Sequence, residues 1–172
     1  MQKVRLYSSL WIRILCIVLC ILWAALIFSM SAEVRAESGA RSGRITKIVI
    51  AIFFPNFEEL GESERAELAS KVDHVVRKIA HFCIYGMLGI LICLASVGYF
   101  AKWRTHLFRT AIIGAAYATS DEIHQCFVPG RGPGVKDVLL DSVGVICGGA
   151  FVLIIIAFIF KLKSRRQKWN VL

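Results

Sequence analysis

Long apolar runs separated by short polar segments set the organisation of this chain. The first, Ile14 to Met30, is preceded by Arg13. At 1.5 Å per residue it reaches about 25 Å, close to the thickness of a hydrocarbon core. It predicts a membrane span at about residues 12–30, with Arg13 extending its methylene stem toward the interface. A cleaved signal sequence competes with this reading because Ser29 and Ser31 are small. The apolar region is longer than such sequences carry, so a retained helix is favoured.

Residues 31–47 alternate Glu33, Arg35, Glu37, Arg41 and Arg44 and read as loop. Ile48 to Phe54, closed by Pro55, is too short to span, and reads as an interfacial or re-entrant segment or one that packs on the helices. Leu68, Val72, Val75, Val76 and Ile79 then recur at helical spacing, which predicts a helix starting near Ser63 and entering a second span at about 79–100. A third span, about 107–128, is rich in Gly114, Ala115, Ala116, Ala118 and Ser120, small residues that suit the middle of a bundle. Pro129, Gly130, Gly132, Pro133 and Gly134 form a tight loop. A fourth span at about 138–160 carries Gly144 and Gly148, and residues 161–172 are a basic tail. The expected fold is all-α: a single-domain polytopic membrane protein, a four-transmembrane-helix bundle with a short interfacial or re-entrant segment.

Composition agrees, with 57% hydrophobic and 19% charged residues in 172. Charge adds an orientation. Lys3, Arg5 and Arg13, then Lys102, Arg104 and Arg109, then the tail residues Lys161, Lys163, Arg165, Arg166 and Lys168 lie in segments without any acid, whereas cations and acids are balanced in the 31–78 loop. The positive-inside rule therefore places both termini in the cytoplasm and the 31–78 loop outside. The net charge of +9 is explained by this bias; no aromatic-plus-basic surface motif accompanies it, so nucleic acid is not an expected partner. Cys16, Cys20, Cys83, Cys93 and Cys147 fall in apolar runs and read as small hydrophobes, and Cys126, beside polar residues, also reads as packing. No Cys-x-x-Cys pair occurs.

That topology brings distant polar residues to one face. Arg77, Lys78 and His81 open the second span, Asp121, Glu122, His124 and Gln125 close the third, and Lys136, Asp137 and Asp141 open the fourth. Arg77 and His81, His81 and Tyr85, Asp121 and Gln125, and Asp137 and Asp141 are each four residues apart, a spacing that stacks side chains on one helix face. The cations Arg77, Lys78, Arg131 and Lys136 balance the carboxylates of Asp121, Glu122, Asp137 and Asp141, so a buried network could be near neutral.

The series Arg77-Lys78-Ile79-Ala80-His81-Phe82 with Tyr85, Ser120-Asp121-Glu122-Ile123-His124-Gln125, Phe127-Val128-Pro129-Gly130-Arg131, and Asp137 with Asp141-Ser142-Val143-Gly144 and Gly148 resembles the motifs of VanZ-like membrane proteins, as does Phe28-Ser29. The likeness extends over roughly residues 10–160. It implies a small four-helix protein of the bacterial plasma membrane, related to one that confers low-level teicoplanin resistance. Carried over by position, its motif residues are Arg77, Lys78, His81, Tyr85, Asp121, Glu122, His124, Gln125, Arg131, Asp137 and Asp141. Ile84 departs from relatives that have an acid before the tyrosine.

Several readings of the cluster stay open. In a structural one, polar side chains tie helix ends around the Pro-Gly loop. In a catalytic one, His81 or His124 exchanges protons, with Asp121, Glu122 and Asp141 as the other catalytic candidates. Arg77, Lys78, Tyr85, Gln125, Arg131 and Asp137 then bind an anionic lipid-linked or cell-wall precursor. In a binding or shielding one, a glycopeptide, lipid or partner is held without turnover. A metal centre is disfavoured because the helical His-x-x-x-His pair is missing, and no cofactor is implied. Four spans without an inverted repeat give a transporter little room. Membrane lipids are the expected surroundings, and the oligomeric state stays open.

Overall fold

The computed structural model describes residues 3–4, 9–32, 35–99, 101–129 and 134–169. Among these residues are five α-helices: α1 Leu10–Ser31, α2 Arg35–Phe53, α3 Glu62–Ser96, α4 Trp103–Gln125 and α5 Val135–Trp169. A 3-10 turn at Phe57–Glu59 precedes α3, and two short strands, β1 Lys3–Val4 and β2 Ala101–Lys102, pair antiparallel. The β1–β2 pairing puts the N-terminal segment and the α3–α4 linker at one end of the bundle. The Arg13 guanidinium lies over the Tyr99 ring at that same end, 5.0 Å from its centroid.

The helix expected from Ser63 is present as α3, one residue earlier and 35 residues long. Its start is fixed by Glu64, whose carboxylate accepts the Gly61 backbone N–H at 3.2 Å, and by Glu62 and Glu64 in the first turn, where acids complement the helix dipole. At about 52 Å, α3 exceeds a hydrocarbon core. Its first half is polar and carries α2.

The segment expected as polar loop is where the structure differs most. Residues 35–53 are one helix, and Ile48 to Phe54 is its C-terminal end with the residue that follows, rather than a separate short element. The helix is held from outside: Ser42 and Thr46 both donate to Asp73 of α3, at 2.6 and 3.1 Å, and Ile50 on the same face is buried. The other side of the helix leaves Ile45, Ile48 and Ile52 exposed, and Phe53 is exposed at its end.

Length and apolar content support three of the four expected spans. Among the described residues three helices are long and apolar enough to cross a membrane: α1, α3 and the Val135–Leu162 part of α5. The 23-residue α4 is long enough but too polar, because Arg104, Arg109, Asp121 and Glu122 and many small residues dilute its apolar content. The small residues serve packing instead: Gly114 and Ala118 are buried, and a methyl on Gly114 would overlap the Val145 side chain of α5.

The core lies between α3 and α5 and is closed by α1 and α4. One cluster joins Ile27, Tyr85, Leu88, Ile92, Ala118 and Val145, and a second joins Cys93, Val97, Val152 and Ile156 toward the other end. The Gly144 and Gly148 pair brings the α3 and α5 backbones together. A Cβ on Gly144 would stand 2.7 Å from the Phe82 carbonyl oxygen, and one on Gly148 would overlap that of Gly86. Large apolar side chains cover the outside, including Ile21, Leu22, Phe108, Ile112, Phe151, Ile154 and Phe158. Such a belt is suited to lipid rather than water. The α3–α5 contact places the polar motifs of both helices, and of α4 between them, at the end opposite the β1–β2 pair.

Candidate functional site

At that end, α1 finishes at Ser31, α4 finishes at Gln125 and α5 begins, and all three meet α3 partway along its length. Asp121 is the meeting point. Its side chain is buried, and Oδ2 accepts from Tyr85 OH of α3 at 2.8 Å, Ser31 Oγ of α1 at 2.8 Å and Gln125 Nε2 at 3.0 Å. Gln125 Nε2 is also 3.3 Å from Ser31 Oγ. One carboxylate oxygen therefore ties three helices. Asp121 Oδ1 is buried with no hydrogen-bond partner among the described residues.

Two further bonds hold the frame around this point: Trp23 donates through Nε1 to the Ile84 carbonyl at 3.0 Å, and Tyr117 donates to the Ala24 carbonyl at 2.6 Å. Both fasten α1 to the bundle through backbone carbonyls, about two turns deeper along α1 than Ser31.

A second carboxylate lies on α5. Asp141 is 3% exposed, its Oδ2 stands 3.7 Å from His81 Nδ1, and its Oδ1 has no partner among the described residues. His81 is the accessible member, with its side chain 38% exposed. Its ring lies nearly parallel to that of Tyr85, with centroids 6.5 Å apart. Asp141, His81, Tyr85 and Asp121 thus form a connected string across α5, α3 and α4, and Asp141 is within electrostatic reach of the Tyr85 hydroxyl.

The remaining motif residues are placed around this string, not all within it. Lys78 pairs with Asp137 and joins α3 to the first turn of α5. Glu122 accepts the Gly134 backbone N–H through Oε1, closing the α4–α5 connection. Arg77 turns toward α2, with Nε 3.2 Å from Asp73 Oδ2. His124 stacks on Phe28 of α1, centroids 4.2 Å apart, and its Nε2 is buried without a partner among the described residues. Arg131 lies outside the described residues.

Sequence reasoning did not single out Ser31, Ser42, Thr46 or Asp73 for this site. Asp73 stands four residues before Arg77, a spacing that favours the ion pair and could have revealed it. Ser31 carries no local signal beyond being a hydroxyl at a membrane-helix end. A separate groove of about 760 Å³, lined by Thr46, Ile50, Phe54, Phe57, Ala69 and Asp73 among others, lies between α2 and α3.

Chemically, the arrangement offers buried acceptors, a partly exposed imidazole able to take or give a proton, and paired cations at the rim. Compared with known proteins, the chain matches the VanZ/LLP1 family model over residues 16–161. No curated protein and no solved structure matches it.

Proposed function

Because the chain belongs to the VanZ/LLP1 family, we propose that it is a four-span protein of the bacterial plasma membrane whose polar end faces outward and binds or acts on an anionic lipid-linked or cell-wall component. The step belongs to the cell envelope and lowers sensitivity to glycopeptides such as teicoplanin. In this reading α4 is the fourth span, shielded by its neighbours, and both termini are cytoplasmic. The carrying observation is the string Asp141, His81, Tyr85, Asp121, in which two buried carboxylates each keep one oxygen without a partner among the described residues. A network that only holds helices together is expected to satisfy its buried acceptors.

Each residue then has a role. His81, the accessible member, exchanges a proton with the bound group, and Asp141 orients and charge-balances the imidazole. Asp121 fixes the Tyr85 hydroxyl. Lys78 and Arg77, at the rim, meet the anionic part of the ligand by exchanging one contact of their present ion pairs.

The test is a glycopeptide-sensitive bacterium expressing the chain or its His81→Gln and Asp141→Asn variants at matched levels. Reduced teicoplanin sensitivity with the parent and its loss in both variants is the expected result; full protection by both variants would refute a functional cluster. Mass spectrometry of lipids and cell-wall precursors from the same cells separates turnover from binding, because only an enzyme produces a new species. A second reading, a shielding protein with a structural cluster, is favoured by one observation: Asp121 Oδ2 accepts from three donors on three helices. It predicts protection with unchanged precursors and loss of folding, not of chemistry, on Asp121→Ala.

A further inference from the structure

Among the described residues, the polar end contains more buried acceptors than donors reach, and the imbalance has a sign. The hydrogen-bonding protons directed at Asp121, from Ser31, Tyr85 and Gln125, go to Oδ2 and are all neutral. The two nearest cations on α3 are directed elsewhere, Arg77 to Asp73 and Lys78 to Asp137. His81 Nδ1, at 3.7 Å from Asp141 Oδ2, is beyond hydrogen-bond length, and the imidazole is charged only if protonated. Two carboxylates, 2% and 3% exposed, therefore each keep an oxygen that no donor among the described residues reaches. An anion is repelled from such a place, and a hydroxyl would satisfy one acceptor without balancing charge.

The geometry points to a primary ammonium group as the ligand of Asp121 Oδ1 and Asp141 Oδ1, carried by a membrane headgroup whose anionic part lies against the Lys78 and Arg77 rim. This inference rests on the reading of the polar end as a binding site and narrows its ligand to an amine-bearing, zwitterionic headgroup. A primary ammonium has three N–H donors in a compact head, enough for both carboxylates and one further acceptor. A quaternary ammonium has the charge but no donor.

Full-length protein is placed in nanodiscs containing phosphatidylethanolamine, its N-methyl and N,N-dimethyl derivatives, phosphatidylcholine or phosphatidylglycerol. Bound lipid is then counted by native mass spectrometry. The expected result is retention falling with each methyl, at least ten-fold between phosphatidylethanolamine and phosphatidylcholine. Asp121→Asn and Asp141→Asn should each flatten that series, with helical content and monodispersity checked to confirm that both variants are folded. Displacement by soluble phosphoethanolamine supports recognition of the headgroup itself; a methylation series without displacement supports recognition that also needs the acyl anchor. Equal retention of phosphatidylethanolamine and phosphatidylcholine overturns the inference. If phosphatidylglycerol is then still held and Lys78→Met releases it, the broader anion-binding reading survives alone. If no lipid is retained and Lys78→Met has no effect, both are overturned.

Discussion

Asp121 gives the sharpest test of how this bundle is held together, because one oxygen accepts from three helices. Tyr85→Phe removes one donor and leaves Ser31 and Gln125 in place, so the acceptor stays satisfied. The loss is then the net worth of one hydrogen bond in a membrane protein, about 0.6 kcal/mol on average and up to about 1.7. Asp121→Ala instead orphans two buried donors at once, the Ser31 and Tyr85 hydroxyls, while Gln125 Nε2 keeps Ser31 Oγ as an acceptor. At about 1–3 kcal/mol for each unsatisfied group, the cost is on the order of 2 kcal/mol or more. Adding Tyr85→Phe to the Asp121→Ala protein removes an orphaned hydroxyl, so the same substitution becomes neutral or stabilising there. The measurement is reversible unfolding in mixed micelles by titration with a denaturing detergent, followed by circular dichroism, on the four proteins of the cycle. Equal costs of Tyr85→Phe in both backgrounds, within about 0.3 kcal/mol, would refute the hub.

Gly144→Ala is expected to destabilise by about 1–3 kcal/mol, because the new methyl meets the Phe82 backbone carbonyl, which cannot step aside. Gly43→Ala, in the open on α2, should instead stabilise by up to about 1 kcal/mol, and the same unfolding assay separates them. Ser42→Ala with Thr46→Val removes both α2 donors to Asp73 and should speed amide hydrogen exchange across residues 42–53 while leaving α5 unchanged. In intact cells, a cysteine-free protein carrying Glu58→Cys should react with a membrane-impermeant maleimide and one carrying Arg104→Cys should not; labelling of both would reject the four-span orientation.

The parts of the fold written in local pattern were legible, and those made by distant contacts were not. Apolar runs located α1, α3 and α5, and helical spacing from Leu68 to Ile79 located the polar start of α3. The Gly144 and Gly148 pair, read as a small-residue packing motif, lies where the α3 and α5 backbones approach closely. Residues 35–47 carry two glycines and alternating charge, so nothing local favours a helix; α2 exists because Ser42, Thr46 and Ile50 meet α3. In the site, the four-residue spacing of Asp121 and Gln125 became a direct hydrogen bond. Arg77 did not join His81, because Asp73, equally spaced on its other side, satisfies it. His124, three positions from Asp121, also faces α1, where it stacks on Phe28 while Asp121 meets Ser31.

The unbroken length of α3 has a mechanical consequence. Asp73, Arg77, His81 and Tyr85 recur every fourth residue on a rod with no hinge, a ruler of about 18 Å from the α2 anchor to the Asp121 hub. Sliding or tilting α3 as bilayer thickness changes would carry all four together, so the depth of the imidazole is locked to the seating of α2. A single alanine inserted between Arg77 and His81 would turn one half of the ruler by about 100° against the other, uncoupling the outer helix from the buried acids while leaving every side chain in the chain intact.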